Sequence, residues 1–395
     1  MMMLYLHIPF CERKCAYCDF LSFCADDDVL KTYVDALCVE TNQKALALNN
    51  SNFQKEISSL FIGGGTPSIL DTKYVDKIMT SVRKNFTMVD DTEITIEANP
   101  NSLTKEKLDC YIKNKINRIS IGLQSANEDE LKILNRLHSF EQFLNAYNLA
   151  EAAGIKNINV DLIKYIPNQT ATSFKNTIDK VLELSPEHIS VYDLIIEKGT
   201  KFYDLFQNKT LVYPKEEEQE KIDDILFSNL EKNDYIRYEI SNFAKEGKMC
   251  RHNLGYWSDI PYIGLGLGAS SYFNNKRYKN ETNIKTYINY YGSVIDKNKS
   301  IEDLLYDTSI EKDQLNISKD EETKNLMNEY MMLSMRTIFG ANKKYFLDKF
   351  GKSIDTIYGN KIKQYKDFIT EDENSFHFTK KGFDLSNQIL SDIFI

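Results

Sequence analysis

The sequence predicts an α/β protein: a partial barrel of six parallel βα units, then a β-hairpin region, then a small helical, winged-helix-like C-terminal domain. Two observations predict it. From residue 4 to about 196, short β-branched runs alternate with longer stretches of helical period, the pattern of parallel βα units. Beyond Gly199 that regular alternation stops, and shorter, separate elements follow. Six successive right-handed crossovers curl a parallel sheet into a partial barrel with its helices outside; an open doubly wound sheet is the competing arrangement.

The predicted strands occupy residues 4–8, 59–62, 93–98, 118–123, 157–163 and 188–196. Between them apolar residues recur at helical spacing: Val29, Tyr33 and Leu37; Val75, Ile78, Met79 and Val82; Leu108 and Ile112; Phe143, Tyr147 and Ala150. Asp71, and Thr104 with Glu106, supply helix starts, and Gly154 fits a left-handed stop. Residues 214–232, with the run EEEQE, predict a charged surface helix, and residues 235–243 one more strand. A loop carrying CRHNLGYW comes next. Two strand-like runs within residues 262–280 then flank Asn274-Asn275, a tight-turn pair. Residues 296–320 are polar and predict a linker. The last part has helical periods at 326–338 and 345–350, a short strand at FHFT, and a closing helix through Leu385, Ile389 and Ile393. The expected division is therefore 1–240 for the barrel, 241–295 for the motif loop and hairpin, 296–320 for the linker and 321–395 for the C-terminal domain.

Composition narrows the function classes. Lys and Arg number 49 against 58 Asp and Glu, a net charge of −9, and no basic run exceeds a pair, so the footprint of a nucleic-acid binder is missing. Seven cysteines, an odd number in 395 residues, fit a reducing compartment better than a disulfide scaffold. The opening MMMLYLHIPF lacks the basic start, long apolar segment and cleavage site of a signal peptide. The most apolar stretch, residues 260–273, falls short of the ~20 residues that span a bilayer. A soluble cytoplasmic protein is expected.

Cys11, Cys15 and Cys18 stand in CERKCAYC, directly after the first strand. Three thiolates on one loop can hold three irons of a cubane cluster and leave the fourth iron without a protein ligand. Zinc is the alternative, and a closed zinc site would need Asp19, Cys24 or His7 as its fourth ligand. If the six strands are parallel, every chemically unusual residue falls at their C-terminal edge, where barrel enzymes place their sites. The triad follows the first strand and Gly63-Gly64-Gly65-Thr66-Pro67 the second. Glu97 ends the third, Gln124 and Ser125 the fourth, Asp161 lies near the end of the fifth and Tyr192 within the sixth.

HIPFCERKCAYCDF resembles the radical SAM signature C-x3-C-x2-C with an aromatic residue, here Tyr17, before the last cysteine. The resemblance implies a partial (β/α)6 radical SAM barrel whose 4Fe-4S cluster is held by Cys11, Cys15 and Cys18. It implies that S-adenosylmethionine (SAM) chelates the open iron, and that one electron splits its sulfonium to give a 5′-deoxyadenosyl radical, chemistry that belongs to the cofactor. Gly64, Gly65 and Thr66 resemble the element that bonds the methionine amino group. Gln124 in SIGLQ, Glu97 in IEANP, Arg136 in LNRLH and Asp161 in NVDLI match further SAM-pocket positions, and Tyr5, Tyr17 and Phe20 are grouped with them. A planar guanidinium at 136 suits a carboxylate.

Within that superfamily the whole chain resembles the group of oxygen-independent coproporphyrinogen III oxidase and the heme chaperones. The oxidase carries a further cysteine two residues after the triad; here Phe20 stands there, as in the chaperones. Arg251 to Trp257, RHNLGYW, resembles the chaperone motif HNxxYW. His252 offers an imidazole to iron, Tyr256 and Trp257 offer flat faces to a porphyrin, and Cys250 is a candidate thiolate. Two positions depart from the pattern: DLIKYIPNQT replaces DLIYGLPGQ, and Ser270 stands where a histidine is frequent. Cys24, Cys38 and Cys110 match nothing in the family and read as small buried hydrophobes, and His7 as a packing residue. The expectation is a radical SAM heme chaperone that binds heme and delivers it to membrane-bound hemoproteins such as respiratory cytochromes. Membrane contact would come through that partner, and dimerisation is left open. The rival is the oxidase, decarboxylating two propionates of coproporphyrinogen III.

Overall fold

The computed structural model describes residues 1–51, 53–292, 298–308 and 318–395. Strands β1 (Met2–Ile8), β2 (Glu56–Gly64), β3 (Thr87–Ala98), β4 (Arg118–Gln124), β5 (Ile158–Lys164) and β6 (His188–Asp193) pair in sequence order, all parallel. Between them run α1 (Asp27–Asn50), α2 (Thr72–Asn85), α3 (Lys105–Lys113), α4 (Glu128–Ile133), α5 (Phe140–Ala152) and α6 (Ala171–Leu184). One interior chamber of about 180 Å³ touches both Tyr5 on β1 and Tyr192 on β6. In a flat sheet five strand spacings would separate them by ~24 Å. The sheet is therefore curled into the expected partial barrel rather than laid open.

The pleat sorts the chemistry. Leu60 and Ile62, Ile94 and Ile96, Ile119 and Ile121, Val160 and Leu162, Ile189 and Val191 point outward and share one buried core with the helices. The alternate residues Ser59, Glu93, Glu97, Arg118, Ser120, Asn159, Asp161 and Ser190 point inward and are buried or half-buried. Burying polar groups opposes folding unless they are paired, so an interior this polar is arranged for a ligand.

The expected last barrel strand stops at Asp193 rather than 196, because its partner β5 ends at Lys164. Next come α7 (Lys201–Gln207) and the charged helix α8 (Glu216–Lys232). The single strand expected at 235–243 is a hairpin, β7 (Ile236–Arg237) and β8 (Asn242–Ala244), closed by Tyr238 N–H donating to Asn242 O. β8 lies antiparallel to β6, so the boundary expected at 240 falls inside the sheet. The expected CRHNLGYW loop is also corrected: Arg251–Trp257 forms helix α9. Its first amides, at Arg251 and His252, each donate at 3.0 Å to the Glu93 carboxylate, an anion where the helix end is positive.

On the other side β9 (Tyr262–Leu265) runs parallel to β1, and β10 (Ser270–Phe273) and β11 (Lys276–Lys279) form the expected hairpin. Asn274 and Asn275 both have positive φ, 51° and 59°, as its tight turn requires. The stretch expected as a linker, 296–320, contains the helix Ile301–Thr308, and Ile301, Leu304 and Leu305 are buried in the main core. Part of that stretch lies outside the described residues. The C-terminal part has its own apolar core. It holds the helices Lys319–Ser334, Lys343–Phe350 and Ile354–Ile362 and an antiparallel sheet in which β14 (Ser375–Phe378) lies between β12 (Ala341–Asn342) and β13 (Ile369–Glu371). Arg277 and Glu329 join it to the barrel's hairpin.

Candidate functional site

The cysteines lie on the irregular segment between β1 and α1, which is tied down along its length. Cys11 N–H donates to Phe23 O (3.0 Å), Phe23 N–H to Pro9 O (2.9 Å), Thr66 N–H to Phe10 O (2.7 Å) and Ala16 N–H to Leu134 O (3.2 Å). Lys14 Nζ donates to Phe20 O at 2.9 Å. All three thiols line one cavity of about 480 Å³ at the C-terminal ends of the strands. Burial pushes the Cys11 and Cys18 thiols above their usual range, and thiols in such a place ionise on meeting a metal.

The proposed fourth zinc ligands are mostly spent. His7 Nδ1 lies 3.0 Å from Tyr5 Oη and Nε2 2.9 Å from Leu21 O, while Cys24, expected as a buried hydrophobe, is instead exposed on the cysteine loop and directs Sγ to Glu12 O. Asp19 lines the cavity, yet among the described residues no three His, Cys, Asp or Glu side chains are gathered for a single metal ion.

The same cavity collects Tyr17, Phe20, Gly64, Gly65, Thr66, Glu97, Gln124, Arg136 and Asp161. Phe20 is 60% exposed at the cavity mouth. Tyr5, grouped with these residues by resemblance, lines the chamber beneath instead. The glycine turn follows from close approach: a Cβ on Gly65 would sit 2.9 Å from Cys11 Sγ, and one on Gly64, at φ 120°, 2.7 Å from the His7 ring. Gln124 is held at φ 71°, an unfavourable place for a side-chain residue, and its amide makes no hydrogen bond among the described residues. Arg136 Nη2 donates to Asn99 Oδ1 (2.6 Å) and Gly122 O (2.8 Å), Nη1 lies 3.5 Å from Cys15 Sγ, and Nε is buried without a partner among the described residues.

Two half-buried carboxyls complete the cavity. Burial, then the Asp161 charge, pushes Glu97 up to about 8. Burial raises Asp161 too, against hydrogen bonds from Ser120 (2.8 Å) and Asn159 (2.7 Å). Acids raised in this way mark a place short of positive charge, which a cationic ligand would supply.

Asn99 was not singled out from the sequence, although it fixes the site: its amide donates to Thr66 Oγ1 (3.0 Å) and its carbonyl holds Arg136. Its signal is the IEANP run, where proline keeps the preceding residue extended at a strand end.

Comparison with known proteins fits this geometry. Residues 5–181 match the radical SAM superfamily. Over 98% of its length the chain is 33% identical to the heme chaperone HemW of Bacillus subtilis (strain 168), covering 97% of that protein. The chain belongs to the HemW family. It is also 36% identical to heme chaperone HemW of Escherichia coli (strain K12), over 67% of this chain and 68% of that one. Its fold matches coproporphyrinogen III oxidase (HemN) from Escherichia coli with a TM-score of 0.78 at 22% identity, over 99% of this chain and 89% of that one.

Radical SAM membership of HemW implies a 4Fe-4S cluster and SAM, and the donor set fits both: three thiols on one fixed loop, raised carboxyls for a cation, and an unpartnered amide. When bound, the cluster supplies an electron and an open iron. The RHNLGYW residues lie elsewhere in the fold. Helix α9 plugs the barrel end opposite the cysteines. His252 Nδ1 lies 2.8 Å from Ser59 Oγ and Nε2 3.0 Å from Tyr256 Oη, and burial lowers the ring to about 3. Cys250 is fully buried, its Sγ 3.4 Å from Glu93 Oε1, and burial pushes the thiol up to about 12. Tyr256 and Trp257 line a groove of about 380 Å³ with Tyr262, Arg277 and Leu333. The structure thus separates the four candidate heme contacts into a buried pair, His252 and Cys250, and a groove-lining pair.

Proposed function

We propose that this protein is a heme chaperone in action as well as in family: it binds heme and hands it to a membrane-bound hemoprotein, such as a respiratory subunit. Cys11, Cys15 and Cys18 hold the cluster. Glu97, Asp161, Gln124, Arg136 and the turn Gly64–Thr66 hold SAM, with Glu97 and Asp161 taking its positive charge and Arg136 its carboxylate. Tyr17 walls the site against water, and the exposed Phe20 stands at its mouth.

The observation that carries the heme reading is the RHNLGYW helix, which places Tyr256 and Trp257 along a groove with the Arg277 guanidinium beside them. Flat aromatic faces pack a porphyrin, and a cation suits its carboxylates. His252 positions Tyr256 in this resting arrangement and reaches iron only if its bonds to Ser59 and Tyr256 part. No described helix is long and apolar enough to cross a membrane. We place the protein in the cytoplasm, meeting the membrane through the heme acceptor.

The test compares two reactions of the anaerobically reconstituted protein. Heme titration should shift the Soret band, and the bound heme should pass to an acceptor apoprotein. Conversion of coproporphyrinogen III to protoporphyrinogen IX at useful rates would assign the oxidase function instead.

A further inference from the structure

Arg118 opens β4, points into the barrel and is 2% exposed. Its guanidinium makes no hydrogen bond and no ion pair among the described residues, and Nε is buried without a partner. An unpaired buried charge strongly opposes folding. The nearby carboxylates are committed elsewhere. Glu93 accepts from the amides of Arg251 and His252, Asp161 from Ser120 and Asn159, and Glu97 from Gly64. Glu93 and Asp161 act on Arg118 only through space.

The side chain lines the interior chamber of about 180 Å³. Glu97, Ser120, Asp161 and Tyr192 line both this chamber and the cysteine cavity, so the two adjoin at these residues. From the far end Asn253 of α9 lines the chamber as well, and its side-chain amide makes no hydrogen bond among the described residues. Two donors without partners among the described residues, one of them charged, thus share a chamber that adjoins the cofactor cavity.

We propose that this chamber is a carboxylate-binding subsite, in which the Arg118 fork pairs with the carboxylate and the Asn253 amide donates to it. Its size suits a carboxylate on a short carbon stem and excludes a macrocycle. Two sources share this chemistry: a free short-chain acid, or the acid arm of a larger ligand seated above. A heme propionate as that arm rests on the function proposed above, whereas the subsite itself does not.

The experiment uses anaerobically reconstituted, cluster-loaded protein. Propionate is titrated against chloride at fixed ionic strength while the melting temperature is followed. The wild type should be stabilised by propionate, and the half-effect concentration should rise by about tenfold or more in Arg118→Met, the loss of one charge-assisted pair. Arg118→Met should itself melt no lower than the wild type without ligand, since an apolar chain replaces an unpaired charge. If that variant fails to fold, Asn253→Ala carries the same test, with a smaller weakening expected. A second arm compares heme with its dimethyl ester: an acid arm in the chamber gives a preference for heme that Arg118→Met abolishes. Equal propionate responses in wild type and variants, with no change in ester discrimination, would overturn the proposal and leave Arg118 as a counter-charge to Glu93 and Asp161. Absence of any heme binding by the wild type would sink the function proposed above, while the propionate arm still decides the subsite.

Discussion

Glu97 Oε2 accepts a hydrogen bond from the Gly64 amide at 3.0 Å, tying the end of β3 to the glycine turn after β2. One such bond does not offset the burial that holds the carboxyl at about 8. A cation binding beside it draws the proton off, so SAM binding at pH 7 should release ~1 proton, and Glu97→Gln should abolish that release. Calorimetry in buffers of different protonation enthalpy measures it; proton-neutral binding by the wild type would contradict the placement. The stability sign follows from the same shift. The folded pKa lies above the ordinary 4.5, so the contribution from Glu97 is full below pH 4.5 and lost as pH rises to about 8. Glu97→Gln should flatten that part of the SAM-free profile.

Arg136 is the second tie. Its Nη2 holds both Asn99 Oδ1 and Gly122 O, and Nη1 faces Cys15 Sγ. A lysine keeps the charge but cannot span these acceptors. Arg136→Lys should destabilise the chain by ~1–3 kcal/mol in anaerobic denaturant titrations and weaken SAM binding. Unchanged midpoint and affinity would remove Arg136 from the site.

The barrel strands were legible because ITIEA, RISIG and INVDL combine β-branched runs with a period of two, and the site because its residues end those strands. Helix α9 was not. RHNLGYW is short, has a glycine in its middle, and draws its N-terminal stabilisation from Glu93, distant in sequence. Gly255 is there for packing, since a Cβ would overlap the Met3 side chain. Ile301, Leu304 and Leu305 were hidden by the polar residues around them, although their spacing is helical. The engagement of both His252 nitrogens depends on Ser59 of β2 and could not be read from the motif itself.

Gly65 tests the close approach at the cluster loop. A Cβ there would sit 2.6 Å from Phe10 O and 2.9 Å from Cys11 Sγ, whereas one on Gly154 meets nothing within 4 Å. Gly65→Ala should lower reconstituted iron and sulfide per chain. Gly154→Ala, strained only by its positive φ, should cost about 1 kcal/mol of stability and leave the iron content intact. Equal iron in both variants would refute the packing argument.

His252 and Trp257 should separate in their effects. His252→Ala leaves Ser59 Oγ and Tyr256 Oη without their buried partner and should cost ~2–4 kcal/mol in stability. Trp257→Ala, at the groove wall, should weaken heme binding about tenfold with a smaller stability loss. A His252→Ala protein of full stability that has lost its heme spectrum would make His252 an iron ligand.

The most direct measurement is electron paramagnetic resonance of the reduced, reconstituted protein with and without SAM carrying an isotopically labelled carboxylate. The account predicts a 4Fe-4S signal that shifts on SAM addition, shows coupling to the label, and disappears in Cys15→Ala. A spectrum indifferent to SAM, or stoichiometric zinc in place of iron, would contradict it.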